Sequence, residues 1–349
     1  MTAPTTGSTT TGSTTTGSTT TGSTRFTGGF GHALDNVWVR FGLRRLAQLV
    51  VSVWVLITAS FLMIHLIPGD PVRASLGPTA PQSLVAARRD ALGLDNPLLQ
   101  QYGHYLKGVF TGDLGTSISS QLPVSQVISQ RLPATLGLAV LAFAVIVAIS
   151  IPLGVLMGVV TRGGRARRRE LAFSGTTVVF GSIPEFLLGV GLVYVFAVSL
   201  GIFPVAGRAG PSSYVLPVLA LAVGPAVSLA RIMRVEMISV LGSDYVRTAR
   251  AKRLPALKIY VGHALPNALT AAITLGGLLL SALVAGTVLV ETVFAWPGLG
   301  STIVASILGK DYPVVQGIVL VYGAGVLGIN LVVDVALALL DPRSVIRES

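Results

Sequence analysis

Long uninterrupted apolar runs alternate with short basic segments along this chain. Six runs are long enough to cross a bilayer as helices, which takes about 20 residues. They are Leu46–Ile64, a segment within Leu132–Thr161, one within Leu171–Gly207 that Glu185 interrupts, Ala209–Ala230, Ala264–Val290 and Tyr312–Val333. A membrane strand alternates apolar and polar positions over about 10 residues, and these runs do not. The pattern therefore predicts an all-α membrane protein with six transmembrane helices.

The polar interruptions predict the rest. Ile67–Arg131 is the largest. It opens on the rigid turn Pro68-Gly69-Asp70-Pro71 and holds two expected helices, one near Pro81–Leu92 and one starting at Asn96-Pro97. The second carries Leu98, Leu99, Tyr102, Tyr105, Leu106, Val109 and Phe110 on one face. Residues 67–131 read either as a cap resting on the membrane surface or as a docking or lid element. In Glu291–Tyr312 the run Trp296-Pro297-Gly298-Leu299-Gly300 forces a turn, and Ser301–Leu308 is too short to span, which predicts a half-helix. Trp296 suits an interfacial aromatic belt. Val235–Thr270 is a charged, helix-prone stretch between the fourth and fifth runs. It predicts a first helix over Ser243–Lys252 and a second from Pro255 towards Pro266, broken at Leu254-Pro255. At the start, residues 1–40 are a Thr/Ser/Gly-rich tail and juxtamembrane segment with nothing to bury, expected to be disordered; residues 41–349 form the membrane domain.

Charge orients the spans. The chain of 349 residues carries a formal net charge of +11, is 52% hydrophobic and only 11% charged. With the N-terminus inside, 18 of the 25 Lys and Arg residues fall on the cytoplasmic side. Among them are Arg162–Arg169 and the cluster from Arg231 to Lys258. Lys and Arg bias fixes orientation, so both termini are expected to be cytoplasmic, and the basic balance requires no nucleic acid.

Candidate chemistry is sparse. The chain has no Cys, and His32, His65, His104 and His263 lie in four separate segments, so no metal set forms. Gly309-Lys310-Asp311 lacks the rest of a phosphate-binding loop. Acids at membrane depth are functional candidates. Glu185 follows Pro184 midway through the third span, where it either faces a central passage or braces a kink. Asp334, near the inner end of the sixth span, is expected to pair with Arg231 or Arg234. With Glu291 and Pro184 these acids make up the candidate pathway or gating set. Gly154/Gly158 and Gly323, Gly325, Gly328 are placed for close helix packing.

The Val235–Thr270 stretch resembles the EAA loop of ABC importer permeases. Arg247-Thr248-Ala249 stands in the EAA place, Arg253 in the Gly place, and His263-Ala264-Leu265-Pro266 in the I-x-L-P place. DYVRTARAK (Asp244–Lys252) is similar to the dipeptide, oligopeptide and nickel permeases. So are HLIPGDP (His65–Pro71), LGLDNPLLQQY (Leu92–Tyr102), GDLGTS (Gly112–Ser117), RLPATL (Arg131–Leu136), IPLGV (Ile151–Val155), ETVFAWPGLG (Glu291–Gly300), DYPVVQG (Asp311–Gly317) and DPR (Asp341–Arg343). In this order they resemble the B-type subunit. One departure stands out: if the turn at Arg253 needs a positive φ, arginine is strained there.

The resemblance implies a type I importer permease fold in the cell membrane with a cytoplasmic coupling helix at 235–263. The chain itself would be non-catalytic. ATP and Mg would be bound by two partner ATPase subunits, docked through Asp244, Arg247, Thr248, Ala249, Arg250, Lys252, Arg253, Pro255, His263 and Pro266. A second, C-type permease subunit would complete the pathway, and an extracytoplasmic binding protein would meet Tyr102, Tyr105 and Trp296. The implied cargo is di- or oligopeptides, with nickel-chelate, glutathione or another small solute as alternatives within the family. An ion-coupled secondary transporter using Glu185 and Asp334 is the alternative from a different class.

Overall fold

The computed structural model describes residues 37–340 apart from 67–70, 78, 92, 94 and 165. Residues 1–36 of the expected tail, the Pro68-Gly69-Asp70 turn and the DPR segment lie outside the described residues. Twelve α-helices occur among the described residues. They are α1 (Val37–Leu66), α2 (Pro71–Leu76), α3 (Gln82–Ala91), α4 (Leu98–Thr111), α5 (Val124–Val160), α6 (Arg167–Ser182), α7 (Glu185–Leu192), α8 (Val215–Leu241), α9 (Asp244–Ala251), α10 (Leu265–Val293), α11 (Leu299–Leu308) and α12 (Tyr312–Leu340). No β-strand occurs among the described residues; one isolated bridge joins Thr116 to Pro123. Helix α1 already begins at Val37, so the last residues of the expected tail are helical.

Four helical segments are long and apolar enough to span a membrane: Gly42–His65, Val124–Val160, Pro211–Leu241 and Tyr312–Leu337. Two bent pairs raise the number to six if each is one span. One pair is Arg167–Ser182 with Glu185–Ser199, bent by 94°. The other is Lys258–Thr270 with Ala272–Val284, bent by 51°. The first bend is sharper than the kink predicted at Pro184. A proline pushes the residue before it out of helical geometry, and here Ile183 (ψ 121°) and Pro184 (ψ 138°) are both extended, so the helix stops and restarts.

Helices α5 and α8 form the spine. Lipid is as apolar as a leucine side chain, so association rests on close van der Waals packing rather than on transfer out of water. Glycine supplies the closeness. A Cβ at Gly154 would stand 2.6 Å from Met233 Cβ, and one at Gly158 would stand 2.8 Å from Met237 Cβ. Leu138, Ile146, Leu221, Leu229, Met233 and Met237 are all sealed in the same cluster. Gly323 of α12 does the same against Leu56 of α1, while Gly325 and Gly328 face open space. Asp334 is not paired with Arg231 or Arg234 as expected. It meets Arg45 of α1 at 3.0 Å, because α12 packs on α1; Arg234 of α8 instead binds Glu170 of α6 at 2.6 Å.

The cap contains α2, α3 and α4. Pro97 takes the N-cap position of α4, one residue later than expected, and Gly112 closes the helix at φ 78°. Helix α4 leans on α1 through aromatic and hydroxyl contacts. Tyr102 and Thr58 share a hydrogen bond of 2.9 Å, Tyr105 donates to Ser60 at 3.1 Å, and Phe61 lies against both tyrosine rings. A cavity of about 760 Å³ opens between this cap and the adjoining ends of α1 and α12, with His65, Gln101, His104 and Asp113 among its lining.

Candidate functional site

Helix α9 is short, and its sequence sets both its ends. Ser243 is extended (ψ 155°) at the N-cap, and Asp244 complements the helix dipole in the first turn. Val246 and Ala249 face inward and are buried, which seats the helix against the body of the protein. At the far end Lys252 is the C-cap. The Arg253 amide donates to Arg250 O at 2.8 Å and the Leu254 amide to Ala249 O at 3.3 Å. This pair of bonds is a Schellman closure, which places the residue after the C-cap in the left-handed region. That residue is Arg253, at φ 57°. The turn does need a positive φ, and arginine occupies the position that favours glycine, at a cost of about 1 kcal/mol.

Beyond Pro255 the chain does not stop near Pro266 as expected. It runs through a π-helical segment, Lys258–Ala264, directly into α10. The wide turn lies just ahead of Pro266, whose ring and missing N–H disrupt an ordinary α-ladder. Asn267 Nδ2 donates to the His263 carbonyl at 2.8 Å, so this residue serves the turn through its backbone. The site residues therefore separate into two sets. Val246, Ala249 and Ile259 are buried anchors that sequence reasoning missed, apart from Ala249. Arg247, Thr248, Lys252, Arg253, Pro255 and Pro266 are exposed, and Arg250 and His263 are half-buried. Tyr245 (46% exposed) and Leu257 (74%) add apolar side chains to the same outward surface. Asp244 and Arg247 make an exposed ion pair at 3.3 Å, too solvated to hold the element together.

The other end of the molecule is built on Glu291, which is fully buried inside this chain rather than on a free face. Its carboxylate accepts from Thr135 Oγ1 (2.7 Å), the Gly300 amide (2.7 Å) and the Ser301 amide (3.0 Å). The Leu299 amide donates to Thr135 Oγ1 at 2.8 Å. The first three amides of α11 are thus all satisfied by side chains from α10 and α5, since Gly298 at the N-cap has none of its own. A Cβ at Gly298 would overlap the Glu291 carboxylate, so glycine is required there by space.

Trp296 is corrected as well. It is fully buried rather than interfacial: its indole Nε1 donates to Ala134 O at 3.1 Å, and its ring meets Tyr214 edge-on at 4.5 Å. A tryptophan in a turn next to proline and glycine reads as interfacial because the sequence does not show α5 and α8 closing over it.

Asp311 joins the cap to α12. It accepts from the hydroxyls of Ser117 and Ser119 and from the amides of Ile118 (3.0 Å) and Ser119 (3.2 Å). Burial pushes its carboxyl up, but these four hydrogen bonds together outweigh it and hold the carboxyl below its ordinary value. Two distant motifs, Gly112–Ser117 and Asp311–Gly317, thereby become one clasp.

Glu185 starts α7 at the right-angle break, half-buried. Its carboxylate lies against Gly286 of α10, where a Cβ would come within 2.8 Å of it. It has no hydrogen-bond or ion-pair partner among the described residues.

The described residues thus form a helical body with segments long and apolar enough to cross a membrane, a short surface helix and no metal-binding cluster. Solved structures agree at the level of fold. Two inward-facing crystal forms of the MetNI methionine ABC transporter match at TM-scores of 0.53 and 0.51, with 22% and 20% identity, over 62% of this chain and 97% of theirs.

The chain belongs to the family described as the binding-protein-dependent transport system inner membrane component, matched over residues 150–345, with that family's N-terminal membrane component over 38–139. A protein of Brucella suis named for peptide transport system permease activity is 39% identical over 309 residues, covering 86% of this chain and 97% of the relative. The glutathione transport system permease GsiC of Escherichia coli is 38% identical over 307 residues, covering 87% and 98%. The chain is therefore a permease subunit of an ABC importer.

Proposed function

We propose that this subunit forms half of the translocation pathway of an importer for short peptides, with six spans and both termini in the cytoplasm. Its relatives are named for peptide and for glutathione transport, and glutathione is itself a tripeptide, so one cargo class covers both names. A second permease subunit completes the pathway. An extracytoplasmic binding protein docks on the cap face, to which Tyr102 and Tyr105 contribute by positioning α4.

The observation that carries the ATPase part is α9. It is anchored by two buried residues and closed by a strained turn, and Arg250, Lys252 and Arg253, which have no acid partner among the described residues, stand near exposed Tyr245 and, past the turn, exposed Leu257. Exposed apolar and cationic groups on a short, rigidly held helix and the turn that follows it suit a groove in a partner, and closure of two ATPase subunits would be passed to α8 and α10 as rigid-body motion. Arg250→Glu together with Lys252→Glu is expected to reduce co-purification of the ATPase subunits while membrane insertion is unchanged. Undiminished assembly and transport would overturn the docking role. A chain that isolates without ATPase and still transports on an ion gradient would overturn the importer mechanism as well.

Glu185 is assigned to the pathway. An unpartnered carboxylate at membrane depth is tolerated where it meets a polar passage. Glu185→Gln is expected to slow uptake of a dipeptide without lowering ATPase association. Equal loss of both would make it a structural brace instead.

A further inference from the structure

The turn joining α5 to α6 is the second basic feature of the inner face, and importer membership gives it no role. Gly163, Gly164 and Ala166 all have positive φ (68°, 74° and 59°), so the chain reverses tightly between two membrane helices. Arg167, Arg168 and Arg169 then fill the first turn of α6, all three exposed. Two residues later Leu171 is 62% exposed, and Val178 and Val179 further along the same helix are also exposed. An exposed apolar helix that begins within two residues of three guanidinium groups marks the boundary between headgroups and hydrocarbon.

Among the described residues nothing neutralises these charges. The one acid of the turn, Glu170, is taken by Arg234 Nη2 at 2.6 Å, and Arg234 Nε also donates to Thr161 Oγ1 at 2.9 Å. Arg167, Arg168 and Arg169 have no acid partner among the described residues. They also stand at the positive end of the helix dipole, where cations are disfavoured and anions favoured. Successive helical residues point about 100° apart. The three side chains therefore fan around the helix rather than line one side of it. A groove in a protein partner would engage one edge of such a fan, whereas a layer of headgroups surrounds it. Guanidinium pairs phosphate through two parallel hydrogen bonds.

We propose that Arg167, Arg168 and Arg169 form a binding surface for the phosphates of anionic phospholipids, fixing the inner end of α6 in the headgroup layer. The contact bears on the rest of the subunit because Glu170 ties α6 to Arg234 on α8. Ten residues beyond Arg234, after α8 ends, α9 begins at Asp244. The inference rests on the membrane placement proposed above, but not on the ATPases or the cargo.

The test uses the full purified chain in nanodiscs of phosphatidylcholine with or without phosphatidylglycerol, followed by extraction and native mass spectrometry of retained lipid. Phosphatidylglycerol is expected to be retained over phosphatidylcholine and to raise the unfolding temperature. Each of Arg167→Gln, Arg168→Gln and Arg169→Gln is expected to lower the preference about fivefold, as roughly 1 kcal/mol per basic residue implies. Arg247→Gln with Lys252→Gln on α9 is expected to leave it unchanged. Equal retention of both lipids by the unaltered chain overturns the proposal. So does a preference that survives the triple substitution, or one that the α9 variant lowers as much. Reduced ATPase capture by the triple variant with lipid preference intact would make the turn a protein interface, which also overturns it. No ATPase or binding protein enters the lipid measurement, so its failure and the failure of the importer reading are separable.

Discussion

Two short helices, α11 at one end of the bundle and α9 at the other, solve the same problem in opposite ways. Each must terminate where regular bonding runs out. At α11 the exposed amides are met from inside the chain, by Glu291 and Thr135, and the surrounding turn is sealed with Trp296. At α9 the closing residue is an arginine held in a glycine conformation, and the cations around it point outward. The difference teaches where each end gets its partners. Polar groups completed within the subunit make a rigid body; charges left over are the basis of the docking role proposed for α9.

The comparison breaks most sharply at Glu291. Glu291→Ala removes three hydrogen bonds and leaves two amides and the Thr135 hydroxyl proton without an acceptor away from water, a loss of about 4 kcal/mol. The expected result is a large fall in the unfolding temperature in detergent and poor accumulation in membranes, with Glu291→Gln less severe. An unaffected variant would mean that the outer end is not the rigid one.

Asp311 gives a smaller effect with a definite sign. Its folded-state carboxyl lies below the ordinary value, so the clasp contributes fully above that ordinary value, near pH 4. The contribution is lost as pH falls through the lowered value in the folded protein. Thermal stability should therefore decline below about pH 4, and Asp311→Asn should be less stable by about 2 kcal/mol at neutral pH and lack that part of the slope. A slope identical in the variant would remove Asp311 as its source.

The smallest expected change is the most informative about α9. Arg253→Gly relieves the left-handed strain and should stabilise the isolated chain by about 1 kcal/mol, read as a higher unfolding temperature. ATPase association should weaken at the same time, because an outward cation is lost. If stability and association both rise, Arg253 is strained to no purpose at the interface.

Much of this was legible in the pattern of residues. Continuous apolar runs admit one backbone solution in lipid, so the all-helical class and the approximate spans follow from composition alone. Punctuation placed α9 between Ser243 and Lys252, and the resemblance to the EAA pattern marked Arg253 as the anomalous residue at a turn whose Schellman closure depends on local conformation. The half-helix at Ser301–Leu308 followed from its length.

The misses share one physical cause: they concern which helix lies beside which. Asp334 has Arg45 as its partner and Arg234 has Glu170, pairings set by packing between helices far apart in the chain. Trp296 and Glu291 look like surface and passage residues until α5 supplies Ala134 and Thr135 to bury them. Ser117 and Asp311 lie 194 positions apart and give no local sign of forming one clasp. Local sequence determines element type and turn chemistry because those depend on near neighbours and on solvent. Partner choice and burial depend on contacts closed through space, so only the tertiary structure decided them.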